Sequence, residues 1–230
     1  MSVLIVVSHP DDEALGCGGT AAALAKSGIE VRACILSGAA LARSDHPGNR
    51  KLNDDTLNAQ KLLGIDEPVL GDFPNIEFNT VPHLRLVQFI ESAIVDYRVT
   101  SIFTHHPWDL NEDHRCTSLA CQAAARLAQR RSELPALQSL LYMEVPSATD
   151  WAFDNARNVF RPDAYFDITS TFDTKLQALR AYQGVMRPAP HPRSEEYLRA
   201  LATVRGGESG THLAEAFQSA FRALQSSDLT

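Results

Sequence analysis

Apolar positions along this chain fall into two kinds of run. Residues 2–7 (SVLIVV) are an unbroken β-branched stretch, punctuated at once by His9-Pro10, and this short run predicts a strand buried on both faces. Residues 29–36, 68–71, 101–104 and 138–145 repeat the pattern, the last ending at Pro146. Between them, apolar residues recur every three or four positions. Residues 20–26 predict a short helix closed by Gly28, after a Gly-rich turn at 16–19. Leu52, Thr56, Ala59 and Leu63 share one face of a helix over 49–63 that stops at Gly64. Further helices are predicted over 81–96 behind Thr80 as cap, 118–131, 170–182, 195–205 and 211–224. Residues 184–193 hold four Pro or Gly residues and predict an irregular loop.

Alternating strands and helices imply β-α-β units, hence a parallel sheet. The expected fold is α/β, a Rossmann-like doubly wound, mostly parallel sheet with helices on both faces. The length of 230 residues suits one domain over 1–230, and no internal repeat or low-complexity tract interrupts it. The Pro-rich loop, about 184–194, is expected to lie over the active site, since long ordered loops often bind ligands.

Charge narrows the partners. A formal net charge of −7 provides no basic field for nucleic acid or an anionic membrane, so the partner expected is a small molecule taken by a local pocket. Four cysteines without a CxxC pair are expected to be reduced, buried thiols. The apolar start has no basic flank and is cut by Asp11 far short of the roughly 20 residues of a membrane span, so no membrane insertion and a cytoplasmic location are expected.

The chemistry sits where strands end. The first strand delivers SHPDDEALGCGG, in which Asp11, Asp12 and Glu13 stand together although each carboxylate raises the cost of ionising its neighbours. The fourth delivers HHPWDLNEDHR, residues 105–115. In an open parallel sheet both clusters reach the same rim, at the carboxyl ends of the strands. Two imidazoles and a carboxylate, His9, Asp12 and His114, make a catalytic zinc-type set, with Fe(II) or Co(II) as alternatives for the same donors. Asp11 is then left beside the metal to take a proton from its water.

SHPDDE followed by GCGGT, then Arg50…Ala59…Leu63-Gly64, HHPWDLNEDHR, and a late HPRS…LA…RG…AEAF resemble the PIG-L/LmbE-like zinc-dependent N-deacetylases over nearly the whole chain. That family includes deacetylases of N-acetylglucosaminyl phosphatidylinositol, of aminosugar precursors of small thiols and of glycosylated antibiotics. The resemblance implies zinc on His9, Asp12 and His114, Asp11 as general base and Glu13 as support for the loop. It implies hydrolysis of an N-acetyl group on an N-acetylglucosamine-type conjugate to free amine and acetate, and a possible homo-oligomer.

One position departs from the sugar–thiol branch, where the second motif reads H-P-D-H and its first histidine stabilises the oxyanion. Here that position is Asn111. The vacancy points to His191 in RPAPHPRS as the catalytic donor, with Asp113 holding its imidazole in one tautomer. Arg50 matches a family arginine that contacts substrate, with an ion pair to Asp54 as the alternative. Asp109, Asn111 and Arg193 complete the expected substrate contacts, with support of the loop as the alternative for Asp109 and a surface charge for Arg193, while His105 is expected to be core or to back the site. Two other readings stay open: a non-catalytic sugar- or metal-binding relative of the same fold, and a nucleotide-binding Rossmann enzyme. The second is disfavoured because GCGG is not GxGxxG and three carboxylates precede it.

Overall fold

A computed structural model describes residues 1–38, 49–153 and 158–223, with the side chains of 49–51 excluded. In chain order the regular elements are β1 (Ser2–Val7), α1 (Asp12–Lys26), β2 (Glu30–Ile35), α2 (Asn49–Leu63), β3 (Asp66–Leu70), α3 (His83–Asp96), β4 (Ser101–His105) and α4 (Glu112–Ala125). The short α5 (Leu127–Arg130), β5 (Ser139–Met143), β6 (Ala164–Asp167), α6 (Phe172–Ala181), α7 (Glu195–Ser209) and β7 (Ala214–Arg222) follow. One seven-stranded sheet runs β3-β2-β1-β4-β5-β7-β6. Its first five strands are parallel and β7 pairs antiparallel with both β5 and β6. The expected α/β class, a mostly parallel Rossmann-like sheet in one domain, is the observed one.

β1 shows why its sequence is uniformly apolar. Every residue is buried, and the strand's period of two sends Val3, Ile5 and Val7 into the core under α1, α2 and α6 and Leu4 and Val6 into the core under α3 and α4. Each such side chain contributes about 1.5–3 kcal/mol. The strand order reverses between β1 and β4, so the crevice for a ligand opens beyond their carboxyl ends.

Three expectations need correction. The Gly-rich run is no turn: α1 begins at Asp12 and runs through it, kinked at Cys17 (φ −150°, ψ 26°). Its glycines answer close packing, since a Cβ on Gly16 would meet the Met143 Sδ at 2.5 Å and one on Gly19 would meet Ile168 Cγ2 at 2.8 Å. α4 likewise starts earlier than its apolar pattern, because the Asn111 Oδ1 accepts from Asp113 N at 2.9 Å and caps it. The stretch expected as a final helix over 211–224 is instead β7. Its Ala, Glu, Gln and Arg are good helix formers, but the open edge of β5 takes them as a strand, and β6, which the pattern did not predict, closes on its other side.

Candidate active site

β1 and β4 end side by side, and the backbone just past them is tied by side chains. Ser8 N donates to the His105 Nε2 at 2.9 Å, and the Ser8 and Thr117 hydroxyls pair at 2.8 Å. Beyond this tie stand His9, Asp11 and Asp12 from the β1 side and His114 from the first turn of α4, all buried. One ligand atom from each of His9, Asp12 and His114 lies within 4.8 Å of the others.

The orientation of both imidazoles suits a cation. The His9 Nε2 is 2.9 Å from an oxygen of Asp113, so its Nδ1 faces Asp12 at 3.3 Å. The His114 Nδ1 is 3.0 Å from an oxygen of Asp109, so its Nε2 faces the same Asp12 oxygen at 3.2 Å. Each imidazole is therefore gripped on its outer nitrogen by an aspartate and aims its inner one at a third, the arrangement that orients histidine ligands around metals. Two buried nitrogens and a carboxylate fit a divalent transition metal, with zinc, Fe(II) and Co(II) all compatible.

The aspartates also set the protonation of these imidazoles. Burial pulls the His114 imidazole down, but the charges and hydrogen bonds of Asp12 and Asp109 outweigh it and push it up to about 10. His9 moves upward in the same way, burial being overcome by Asp113 and Asp12. Burial opposes ionisation of Asp12, yet His114 above all holds its carboxyl well below the usual range. His105 stacks on His114 with ring centres 3.7 Å apart and is neutral, because burial drives its pKa well down. It backs the site, as expected. His105, Asp109 and His114 form a second close group, but there the His114 Nδ1 is already engaged by Asp109, and this trio reads as support for the first.

Asp11 lies outside the ligand group and faces the same cleft. Its backbone is left-handed (φ 104°), a conformation costly for a residue with a Cβ, and Asp11 N donates to the Glu13 Oε2 at 3.1 Å. Glu13 is in turn held at its other oxygen by the Tyr182 hydroxyl at 2.6 Å and the Gln60 amide at 3.0 Å. Burial pushes the Glu13 carboxyl up to about 7 despite the Tyr182 hydrogen bond. From the Pro-rich loop the Arg193 Nη1 comes within 3.3 Å of the Asp11 carboxylate, while its Nε donates to the Ser147 Oγ at 2.8 Å.

The cleft these residues line measures about 360 Å³, and Asn75, Ile76, Leu110, Asn111, Ser147 and Trp151 complete its wall. Asn111 commits its carbonyl oxygen to the α4 cap, leaving its NH2 as the end to offer a ligand. Two assignments change. Asp113 is fully buried and holds His9 and the amides of Ile76 (2.6 Å) and Phe78 (2.9 Å), so it is a positioning residue and not the partner of His191. Asp109, also buried, engages the His114 Nδ1 and is not among the cleft-lining residues, which favours a supporting role over contact with sugar hydroxyls. His191 is not among the cleft-lining residues; its ring lies edge-on to Trp151, 5.3 Å between centres, in an adjoining hollow. Its Nδ1 accepts from Arg193 N at 3.0 Å, and burial, followed by Arg193 and Arg187, lowers its pKa, so it is no ready acid. Arg50 opens α2, and its side chain lies outside the described residues.

Sequence reading did not find Ile76, Ser147, Trp151 or Gln60. Ile76 and Ser147 carry positive φ without being glycine, which no residue type announces.

Comparison with known proteins agrees with the geometry. Residues 4–125, more than half of the chain and the part that carries His9, Asp12 and His114, match the PIG-L family, described as GlcNAc-PI de-N-acetylase. The chain belongs to this family. A curated relative, diacetylchitobiose deacetylase of Thermococcus kodakarensis, is 27% identical over 227 residues, 93% of this chain and 80% of its own. The solved N,N'-diacetylchitobiose deacetylase of Pyrococcus horikoshii superposes with a TM-score of 0.78 at 19% identity, covering 100% of this chain and 88% of the other. GalB of Pseudomonas putida KT2440, a 4-carboxy-2-hydroxymuconate hydratase, superposes equally well, with a TM-score of 0.78 at 22% identity over 97% of this chain and 98% of the other. These superpositions establish the fold. A family fold shared by a deacetylase and a hydratase leaves the reaction to be argued from the site. Among the described residues, no helix is long and apolar enough to cross a membrane.

Proposed function

We propose that this family member hydrolyses the N-acetyl group of an N-acetylglucosamine-type conjugate, releasing acetate and the free amine. The observation that carries this reading is the pair Asp11–Asp12. Asp12 joins His9 and His114 in the ligand group, while Asp11, one residue away and turned by its left-handed backbone, faces the cleft outside it. His9, Asp12 and His114 would hold a divalent ion, zinc by preference, which when bound polarises the amide carbonyl and acidifies water. Asp11 accepts the proton of the attacking water and returns it to the amide nitrogen as the C–N bond breaks, so that a neutral amine leaves. Arg193 beside Asp11 favours the ionised carboxylate needed for the first transfer. Arg193 and the Asn111 NH2 line the cleft as donors to substrate oxygens, in place of the histidine expected at position 111.

Assaying acetate and amine release from N-acetylhexosamine conjugates with zinc-loaded protein tests the proposal. Turnover should vanish on chelation, return on adding metal, and fall about 10²–10⁴-fold in Asp11→Asn with metal content unchanged. Near-normal turnover by metal-loaded Asp11→Asn would remove Asp11 as the base. Failure to release amine from any such conjugate would overturn the reaction class and favour a hydration chemistry on the same fold.

A further inference from the structure

The catalytic cleft lies beyond the carboxyl ends of β1 and β4. A larger cavity, about 630 Å³, opens at the opposite end of the sheet, at the amino ends of β1, β4 and β5 and beside Leu24 in the last turn of α1. Strand register puts one row of residues across its wall: Val3 of β1 pairs with Ser101 of β4, Ser101 with Ser139 of β5, and Ser139 with Arg222 of β7. Paired residues share a face of the sheet, and so do Phe103 and Leu141, two positions further along β4 and β5. The wall therefore has two levels. A polar rung carries two hydroxyls and a guanidinium, and an apolar one beside it carries Phe103, Leu141 and Phe166. The Phe103 and Phe166 rings stand 5.9 Å apart and both rest on Phe217, at 5.0 and 5.3 Å.

The protein itself makes no use of the polar rung. Ser101 is only 6% exposed, yet among the described residues its hydroxyl has no hydrogen-bond partner, whereas buried polar groups are ordinarily paired. The Ser139 hydroxyl and the Arg222 guanidinium likewise have no partner among the described residues, and no carboxylate pairs with Arg222 there. One acidic side chain borders the space: Asp163, on the β6 side, whose Oδ1 is taken by Ser219 N at 2.8 Å.

We propose that this cavity binds a small monocarboxylate with an apolar body, its carboxylate on Arg222 and the Ser101 and Ser139 hydroxyls and its body against Phe103, Leu141 and Phe166. A guanidinium without a counter-charge is a fork suited to a carboxylate, and the two hydroxyls in the same row donate to the same group. Asp163 limits the ligand to a single negative charge, because the further charge of a phosphate or dicarboxylate would be set against its own. The volume falls within the range of about 300–1,000 Å³ typical of small-molecule sites, and an apolar wall with a few polar groups is their usual make-up. Occupation of this site is separate from the proposed reaction, since no residue lines both cavities.

Equilibrium dialysis of the metal-loaded protein against phenylacetate, phenylacetamide and phenethylamine tests the proposal. The carboxylate should bind about tenfold or more tighter than the amide or the amine. Removing the metal with a chelator should leave its affinity within about twofold, whereas a carboxylate seated on a cation in the cleft would be released. Arg222→Gln, at an exposed strand end, should weaken phenylacetate about tenfold or more and erase its advantage over the amide. Ser101→Ala should weaken it by a smaller factor, and both variants should keep the acetate-release rate and thermal midpoint of the parent. Absence of saturable binding, preference for the amine, loss of binding with the metal, or unchanged affinity in Arg222→Gln would each overturn the proposal. So would a dimer that Arg222→Gln dissociates and phenylacetate does not, which would assign the cavity to an interface between copies of the chain.

Discussion

The half of the molecule from β1 to α4 and the half from β5 to β7 contribute to the site in different ways. The first supplies the groups that face the cation position: His9, Asp11 and Asp12 past β1, and His114 with its partner Asp109 past β4. The second supplies long-range restraints. Tyr182 holds Glu13 across 169 positions of sequence, Arg193 reaches Asp11 across 182, and Glu215 of β7 accepts from Gly19 N, Thr20 N and the Thr20 hydroxyl across about 195. Chemistry is concentrated where two parallel strands end, and the later elements hold α1 and the Asp11 turn in place. A reactive cluster of like charges is costly on its own, so it persists because the surrounding structure over-determines it.

The largest expected effect that sharpens this contrast lies in the second half. Lys175 of α6 is buried, donates to the Leu15 carbonyl at 2.8 Å and pairs with Glu215 at 2.6 Å. Lys175→Ala leaves that buried carboxylate its three hydrogen bonds from Gly19 and Thr20 but no counter-charge, and should cost about 3–5 kcal/mol of stability in thermal or denaturant unfolding. Metal uptake by the fraction still folded should be unchanged; its loss would show that the two halves do not divide the work as described.

In the first half, Asp109→Ala and Asp113→Ala should each weaken metal binding about 10–100-fold in competition with a chelator. Asp113→Ala should in addition lower stability by about 1–3 kcal/mol for each backbone amide it strands, those of Ile76 and Phe78. Equal stability of the two variants would contradict the wider role given to Asp113.

The pH dependence of metal uptake has a definite sign. Without metal His114 keeps its proton up to a pH of about 10, above the ordinary histidine value, so a cation must displace that proton. Affinity should therefore rise with pH across the neutral range, by about tenfold per unit for one displaced proton, and calorimetry in buffers of different ionisation enthalpy should count its release. In the metal-free protein the His114 ion pairs stabilise the fold fully below the unfolded value near 6.5, and this contribution fades as pH rises through about 10. A flat profile would mean His114 is neutral before the metal arrives.

The smallest effect falls on the bridge between the halves. Tyr182→Phe removes one hydrogen bond to Glu13, about 0.5–1.5 kcal/mol, and should lower turnover more than metal content because Glu13 positions Asp11. A change in metal content alone would assign Glu13 to Asp12 instead.

Much of the first half was legible because its signals are local. The buried strands are continuous apolar runs, β1 and β4 end in polar clusters, and an open parallel sheet places such ends on one rim. The elements missed had local preferences that tertiary contacts overruled. The run 16–19 reads as a turn because of its glycines, yet packing against Met143 and Ile168 makes Gly16 and Gly19 necessary within a helix. Residues 214–222 have helix-forming composition and became a strand because β5 offered an unpaired edge. Asp113 was matched to the wrong histidine because three acids and four imidazoles within reach of one rim permit several pairings, and composition does not rank them.

What the sequence determined by itself is the class of fold, the two strand ends that meet, and the kinds of group placed there, since strand period and punctuation are properties of neighbouring residues. Only the tertiary structure decided which aspartate grips which imidazole, that Arg193 and not His191 enters the cleft from the Pro-rich loop, and that Trp151 separates it from a second hollow. Apart from the Asp109–His114 pair, five positions apart, those outcomes depend on contacts across 35 to 182 positions of sequence, from Asp113–Phe78 to the Arg193–Asp11 ion pair. They follow from packing and burial, which no local pattern encodes.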